Sequence, residues 1–190
     1  MNEPLLEAQS IFNRQLVSKK IVLPFSELSQ NIREQFIKYA FKNFVGRCFK
    51  EGYISSKNIK IIKYSAPKAL SSDVLFEVLF EFDVYNPYEG QEIYAKVLNV
   101  TKIGIKAVVN VDERKNPVTV FASRLQNSHV IMKDENMTDE DIDENARDTV
   151  YGEGDIIKIK LIGYRFEVND SSVYALGEII KDKGEGGEEP

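Results

Sequence analysis

The clearest hydrophobic pattern in the chain is an alternation over residues 74–85. Every second position is apolar, and the positions between them mix leucine, acidic residues and tyrosine. A period of two indicates a strand with one buried face, and a wholly apolar face indicates that another element packs on it. The apolar positions are Val74, Phe76, Val78, Phe80, Phe82 and Val84. The pattern therefore predicts a long strand that covers a helix.

A second pattern, with helical spacing, lies upstream of this strand. Its apolar residues are Ile32, Phe36, Tyr39, Ala40 and Phe44. Spacings of three and four residues place these side chains on one helix face. Ser29 or Asn31 is the predicted N-terminal cap, with Glu34 as the capping-box partner of Asn31. Gly46 follows as a predicted C-terminal cap.

The other segments of the first half are shorter. Residues 10–24 predict a strand with a kink or bulge near Ser18 and Lys19, because polar residues interrupt the apolar run there. Residues 58–64 predict a further strand, and residues 66–72 predict a loop. With the helix, these segments predict an α+β unit in which a three- or four-stranded antiparallel sheet packs on one helix.

The second half contains only strand-like runs. A turn around Pro87 and Gly90 separates it from the first unit, because proline cannot donate to a ladder and glycine permits a positive φ. Five runs follow, with a long connection after the third: residues 92–100, 104–111, 118–121, 155–164 and 172–180. Three short strands followed by two more are typical of an OB barrel. The second unit is therefore predicted to be an all-β, five-stranded OB barrel.

These patterns predict a lead-in (residues 1–11), a sheet-and-helix domain (12–88), a barrel domain (89–182) and a disordered tail (183–190). The barrel domain carries an acidic insertion at residues 133–148, with eight acidic and two basic residues. Few apolar residues occur in it, so a solvated loop or a short surface helix is expected.

The charge is negative and unevenly distributed. A net charge of −5 argues against a strong nonspecific nucleic-acid binder. Residues 1–88 hold 12 basic and 9 acidic residues, whereas residues 89–190 hold 13 and 21. The insertion and the tail account for that acidic excess, which leaves the barrel body neutral. No run is long enough to span a bilayer and no signal peptide is recognisable, so an intracellular protein without a membrane partner is expected, in the nucleus or cytoplasm.

Residue types that usually carry catalysis are scarce. The single histidine, His129, lies in a polar stretch and is expected to be an exposed loop residue. One cysteine, Cys48, excludes an internal disulfide and a cysteine-based zinc site, and a small core residue is expected. The acidic insertion lacks the glycine of a calcium loop, and no phosphate-binding loop motif occurs. The sequence therefore predicts no catalytic residue, no metal site, no cofactor and no enzymatic activity.

Single-stranded RNA is the predicted ligand of the barrel. OB barrels bind strands on the face of strands two and three, where aromatic rings stack on bases and cations meet phosphates. The candidate residues are Lys102, Lys106, Phe121, Arg124, Lys160 and Arg165. Two interpretations of Phe121 are open, namely burial inside the barrel and stacking on a base. Since the barrel body is neutral, weak and nonspecific binding is expected, which becomes useful when the RNA is held nearby.

Three segments, in order, resemble a known family. The first runs from the helix into residues 45–48 and then into Gly52, Tyr53 and Ile54. The second is the junction at residues 84–92, and the third is a final hairpin at residues 160–181 that ends in Ala-x-Gly-x-Ile. Over residues 12–182 the chain is similar to the stalk subunit of multisubunit DNA-dependent RNA polymerases, a family with archaeal members and with the seventh subunit of eukaryotic RNA polymerase II.

The resemblance implies a non-catalytic polymerase subunit. The first domain would be a tip domain that docks on the large polymerase subunits, and the expected docking residues are Gly46, Gly52, Tyr53 and Pro67. The barrel would be an OB fold of the S-one class, near the RNA exit channel, where it contacts nascent single-stranded RNA weakly and supports initiation. Residues 118–125 resemble the third strand of that class, with Phe121 where an RNA-contacting histidine often stands. A second stalk subunit packs along this one in the family, and its existence here is left open.

The chain also departs from the family pattern. The longer lead-in, the acidic insertion and the Gly/Glu-rich tail are additions to it. Frequent lysine, isoleucine and asparagine suggest an AT-rich genome, such as that of a large DNA virus that encodes its own polymerase, for which the virion is a further location.

Two other functions are left open by the sequence. An independent OB-fold RNA-binding factor in translation or RNA decay would need a basic barrel face, whereas residues 89–190 are acidic overall. An enzyme would need a cleft with clustered titratable groups, which one histidine and dispersed acids do not supply.

Overall fold

The computed structural model describes residues 11–28, 31–109, 116–133 and 150–180. These residues divide into two units, which we treat separately. The sheet unit comprises residues 11–86 together with Phe166–Ser172, and the barrel unit comprises residues 87–165 and 173–180. The connection Phe166–Ser172, which the sequence assigned to the barrel domain, lies with the sheet unit because it exchanges backbone hydrogen bonds with Cys48. The predicted states of most of the lead-in, the acidic insertion and the tail concern residues outside the described ranges.

The sheet unit contains one antiparallel sheet and one α-helix. The strands are β1 (Asn13–Pro24), β2 (Cys48–Phe49), β3 (Gly52–Tyr64), β4 (Lys68–Leu70) and β5 (Asp73–Tyr85). Their order is β1-β5-β3-β2, and β4 pairs with β5. A single 3-10 turn (Phe25–Glu27) follows β1, and helix α1 spans Ile32–Asn43. The predicted antiparallel sheet packed on one helix is confirmed, but its described residues form five strands, not three or four.

The core of the sheet unit lies between β5 and α1. All six apolar positions of the alternating run on β5 are buried, and Phe36, Ala40 and Phe44 pack against them. The ring centroids of Phe36 and Phe76 lie 5.0 Å apart in an edge-to-face arrangement. Aromatic pairs in this geometry contribute about 0.5–1.5 kcal/mol beyond their buried area. The apolar residues of the helical stripe and those of the strand alternation thus pack against each other in one core.

The ends of α1 differ from the prediction. Asn31 occupies the N-cap position, but its side chain makes no capping hydrogen bond, so the predicted capping box of Asn31 and Glu34 is wrong. Ser29, the other predicted cap, lies outside the described residues. At the other end, Gly46 has a φ of 74° and donates its N–H to Ile54 O at 2.8 Å. Gly46 therefore turns the chain into the sheet and does not satisfy a helix carbonyl.

Strand β1 runs without the predicted bulge. Its register with β5 is continuous from Asn13 opposite Val84 to Pro24 opposite Asp73. Lys19, which appeared to interrupt the pattern, lies on the same strand face as Val17 and Ile21. Its Nζ lies 4.2 Å from the Phe49 ring centroid and 3.2 Å from a carboxylate oxygen of Glu51. A lysine with these partners can occupy a partly buried position without displacing the strand.

Strand β3 is longer than predicted, and the predicted loop after it contains a strand. β3 begins at Gly52, and its register with β5 shifts between Ile54 and Ile59 and again between Ile61 and Lys63. These irregularities break the period of two, which is why the pattern identified only residues 58–64. In the predicted loop at residues 66–72, β4 forms a tight hairpin with β5.

The barrel unit contains seven strands among its described residues, and the five predicted ones form a closed barrel. In chain order its strands are β6 (Glu92–Thr101), β7 (Gly104–Val109), β8 (Val118–Ser123), β9 (Ile131–Met132), β10 (Val150–Tyr151), β11 (Ile156–Arg165) and β12 (Val173–Ile179). The barrel order is β11-β12-β8-β7-β6, with β11 also paired to β6. All these pairs are antiparallel except β12 with β8, which is parallel. β9 and β10 form a separate two-stranded parallel pair that the sequence did not predict.

Small residues allow the barrel to close tightly. On β8 and β12 the inward positions are Val118, Val120, Ala122, Val173, Ala175 and Gly177, and all six are buried. A Cβ at Gly177 would lie 2.1 Å from Ile159 Cγ2, so no side chain fits there. The interior is therefore filled by side chains, as in other small barrels.

Candidate nucleic-acid interface

Phe121 lies on the outer face of the barrel. Along β8 the buried residues alternate with the partly exposed Thr119, Phe121 and Ser123. Of the two interpretations that the sequence left open, burial inside the barrel is therefore excluded. Phe121 lies opposite Lys106 on β7 and opposite Leu176 on β12. It thus stands between a cation and an apolar side chain on the barrel wall.

A pocket of about 380 Å³ opens next to Phe121 on the wall formed by β8, β12 and β11. It is lined by Thr119, Phe121, Gly163, Tyr164, Arg165, Tyr174, Ala175 and Leu176. Of the residues predicted to bind RNA, the pocket brings together Phe121 and Arg165. Its lining contains one cation and no acidic side chain.

The pairing of the strands explains why these residues meet. In one cross-strand row, Arg165 lies opposite Tyr174, and Tyr174 lies beside Thr119. In the next row, Gly163 lies opposite Leu176, which lies beside Phe121. Because alternate residues of β12 point into the core, Tyr174 and Leu176 point outward, and they are 48% and 49% exposed. Large exposed side chains on neighbouring strands form a surface suited to a ligand.

Gly163 leaves space in this wall. The register between β11 and β12 shifts between Leu161 and Gly163, so that Ile162 is an extra residue. A Cβ at Gly163 would have no neighbouring heavy atom within 4 Å. The absence of a side chain opposite Leu176 therefore opens the floor of the pocket.

Four of the five predicted cations, Lys102, Lys106, Lys160 and Arg165, are exposed on the barrel. Arg165 lines the pocket, Lys106 projects from β7 beside Phe121, and Lys102 lies in the turn between β6 and β7. Neither Arg165 nor Lys106 takes part in an ion pair between described residues. Exposed cations beside an aromatic ring are the groups that single-stranded nucleic acids contact.

Arg124 and Lys160 have other surroundings. The Arg124 guanidinium donates to Thr101 O at 3.3 Å and to Met132 O at 3.2 Å, so it connects the end of β6 to β9. Lys160 lies opposite Glu178 on β12 and opposite Glu92 on β6. Both residues lie outside the pocket lining, Arg124 because its guanidinium is bound to carbonyl oxygens and Lys160 because it lies on β11 beside acidic positions of the neighbouring strands.

The exposed residues of β12 were not among the predicted site residues. Tyr174 and Leu176 alternate with small buried residues, and large side chains on the outer face of a barrel strand are a signal that could have been noticed. The parallel pairing that brings them beside Phe121 joins strands about 50 residues apart and has no local signature. Gly163 was likewise not singled out, because its role depends on the shifted register.

The polar stretch around His129 supports the barrel. Asn127 is fully buried, donates to Ser123 O at 2.8 Å and accepts a hydrogen bond from the Ile179 N–H. His129 is exposed, as predicted, and its Nε2 lies 2.8 Å from Ile179 O, which accepts the hydrogen bond. Both side chains fasten the turn after β8 to the end of β12.

The predicted docking residues are mostly interior to the sheet unit. Gly46, Gly52 and Tyr53 are buried, and only Pro67 is exposed. A Cβ at Gly52 would lie 2.3 Å from Tyr85 O, and its φ is 122°. Gly52 is therefore explained by the close approach of the chain to itself, and Gly46 by its positive φ of 74°. Cys48 is also buried, and burial, followed by the negative charge of Asp170, raises the pKa of its thiol to about 12.

No protein-family model matches the chain. Within the described ranges, no group of three or more His, Cys, Asp or Glu side chains is placed to hold a metal ion. The described part of the chain also has no helix with the length and apolar content needed to cross a membrane.

Proposed function

We propose that the chain is a non-catalytic stalk subunit of a multisubunit DNA-dependent RNA polymerase. The observation that carries this proposal is a helix-backed antiparallel sheet followed in the chain by a closed five-stranded barrel. This is the order of domains that the three family-like segments imply. The sheet unit would serve as the tip domain on the polymerase core, and the barrel would contact nascent RNA.

The strand order of the barrel supports its assignment as an OB fold of the S-one class. β6, β7 and β8 form a meander, β12 then pairs parallel with β8, and β11 closes the barrel onto β6. A five-stranded barrel with this mixture of hairpins and one crossing connection agrees with the Greek-key OB architecture.

The segments that carry the resemblance occur where the fold restricts the residue type. Gly90 has a φ of 84° and donates its N–H to Leu161 O at 2.7 Å. Gly52 and Gly177 each approach another part of the chain too closely for a Cβ. Shared residues at such positions support a shared fold. The proposed function additionally rests on the surfaces of the two units.

The sheet unit offers a surface for docking. Helix α1 covers one side of the sheet, while the other side carries Leu16 and Val22 on β1, which are 61% and 40% exposed. Across from them on β5 lie Glu81 and Leu75. Apolar and charged side chains are mixed on this face, and interfaces between proteins contain both. This surface replaces the buried glycines as the proposed contact with the large polymerase subunits.

The barrel offers a surface for weak RNA binding. Lys102, Lys106 and Arg165 are exposed, and Phe121 lies among them on the outer face. The acidic balance of the second half predicts low intrinsic affinity. A polymerase that holds the transcript nearby raises its effective concentration, so that a weak site contributes to transcription initiation.

Affinity purification of the tagged full chain from its native source tests this proposal. We expect the two largest polymerase subunits to be recovered, and Leu16→Arg to abolish their recovery because it replaces a largely exposed apolar side chain of this face by a charged one. Phe41→Arg is the matched control, since Phe41 is an exposed aromatic residue on α1. Equal recovery with Leu16→Arg would exclude the proposed docking surface. Failure of the unchanged chain to recover polymerase subunits, together with tight RNA binding, would favour an independent RNA-binding factor.

A further inference from the structure

We infer that the pocket on β8, β12 and β11 holds one unstacked base of a single-stranded RNA. This inference rests on the RNA contact proposed above and specifies where and how it is made. The expected OB surface lies on the second and third barrel strands, β7 and β8. The pocket extends from the third strand to the fifth and fourth, so it adds a second part to the binding surface that adjoins the first at Phe121.

The aromatic residues make the pocket suitable for a flat ring. Phe121 and Tyr174 lie on adjacent strands in neighbouring rows, and Leu176 lies between them on the same outer face. Because Gly163 has no side chain, the floor opposite Leu176 is open. A base that enters this space can stack on an aromatic side chain and bury its faces against apolar atoms. Such stacking is tolerant of sequence, because every base has a π-face.

The charge of the pocket favours a nucleotide over an apolar side chain of a protein partner. Arg165 is the only charged residue in the lining, and it lies directly across from Tyr174. Lys106 extends the row that contains Phe121 and adds a second cation at the other side. A nucleotide presents a ring and a phosphate about one ribose apart, so the ring and the cations are engaged together. An apolar protein anchor would use only the rings.

The pocket is large enough to hold one base. Its volume of about 380 Å³ lies near the lower end of the range for small-molecule sites, which is about 300–1,000 Å³. We therefore expect a single splayed base in the pocket, with the neighbouring nucleotides outside it.

A single tryptophan can report on the occupied pocket directly. The chain has no tryptophan, so Tyr174→Trp introduces a unique fluorophore that still stacks. We expect its emission to be quenched saturably when octauridylate is added to the full-length protein at low salt. Tyr88→Trp is the matched control, because Tyr88 is an exposed tyrosine of the barrel unit outside the pocket lining. Equal quenching in both variants, or none in Tyr174→Trp, would overturn the inference.

Filling the pocket provides a second, independent measurement. A Cβ at Gly163 would meet no heavy atom within 4 Å, so we expect Gly163→Leu to fold and its side chain to occupy the floor of the pocket. We expect octauridylate to bind this variant about 5- to 150-fold more weakly, the effect of losing one stacked base. Arg165→Ala should reduce the slope of log affinity against log salt by about 0.7, the effect of one phosphate contact on a single strand.

The outcomes separate this inference from the proposed polymerase function. If Gly163→Leu binds RNA as tightly as the unchanged chain and still recovers polymerase, the base pocket is wrong and the stalk function stands. If Gly163→Leu keeps RNA binding but loses polymerase subunits, the pocket is a protein-docking site and the inference is overturned. If the unchanged chain recovers no polymerase while Gly163→Leu weakens RNA binding, the base pocket is supported and the stalk function fails.

Discussion

Individual residues in this chain are restricted by close contacts that a sequence pattern shows only as unusual residue types. Cys48, Gly52 and Asn127 are all fully enclosed, and each meets a backbone group of another segment. Lys19 is a contrasting case, because its cation is satisfied by an aromatic ring and a carboxylate at a partly buried position. The chemistry of these residues follows from their surroundings, and it can be tested at single positions.

The thiol of Cys48 should be unreactive in the native protein. Its pKa is raised to about 12 by burial and by Asp170, so at pH 8 it holds about a thousandfold less thiolate than a free cysteine. We expect iodoacetamide to label it at least about 100-fold more slowly in buffer than in urea. Labelling at similar rates in both conditions would show that the thiol is accessible.

The same shift predicts a dependence of stability on pH. A raised pKa in the folded state stabilises the protein fully below the unfolded value of 9.0, and this contribution is lost as pH rises from 9 toward 12. The free energy of unfolding should therefore fall above about pH 9, and less steeply in Cys48→Ala. Identical pH profiles of the two proteins would contradict this account.

Two glycines should respond oppositely to substitution by alanine. Gly52→Ala should lower the free energy of unfolding by at least about 2 kcal/mol, because its Cβ would meet Tyr85 O at 2.3 Å at a φ of 122°. A Cβ at Gly163 meets no atom within 4 Å, so we expect Gly163→Ala to raise the free energy of unfolding by about 0.5–1 kcal/mol. Urea denaturation measures both. Equal effects would show that the close approach at Gly52 is not rigid.

Whole elements were predictable from the sequence where one face is uniformly buried. The alternation on β5 and the stripe on α1 identified both elements and their mutual packing, because burial of one face sets the period. β4 and the early part of β3 were missed, since exposed or irregular strands carry no regular pattern. The neighbour relation of β12 and β8 was also beyond the sequence, and the pocket around Phe121 depends on it. For that reason Phe121 and Arg165 were predicted as site residues, whereas Tyr164 and Tyr174 were not.

The turn after β8 should depend on one buried amide. Asn127 donates to Ser123 O and accepts from Ile179 N–H, so it joins this turn to the end of β12. Removing this amide leaves buried backbone groups without hydrogen-bond partners, which costs about 1–3 kcal/mol of stability. We expect Asn127→Ala to lower the free energy of unfolding by that amount in urea denaturation. Gln126→Ala, an exposed change in the same turn, is the control, and an equal effect of both would contradict this role.

The molecule as a whole combines a unit suited to docking with a unit suited to weak RNA binding. The sheet unit presents Leu16 and Val22 on the side that α1 leaves open, and the barrel unit presents Phe121 with nearby cations. Neither surface has the clustered acidic, histidine or cysteine side chains of a metal site within the described ranges. These two surfaces are the basis of the proposal that the chain is an accessory subunit that acts while attached to a larger assembly.

Fractionation of the untagged protein from its native source tests this central claim most directly. Size-exclusion chromatography, with quantitative mass spectrometry of each fraction, measures whether the chain travels with the two largest RNA polymerase subunits. Our account predicts co-elution at high molecular mass in a near one-to-one ratio with them. Elution of the whole population as a free monomer of 21.7 kDa would contradict it.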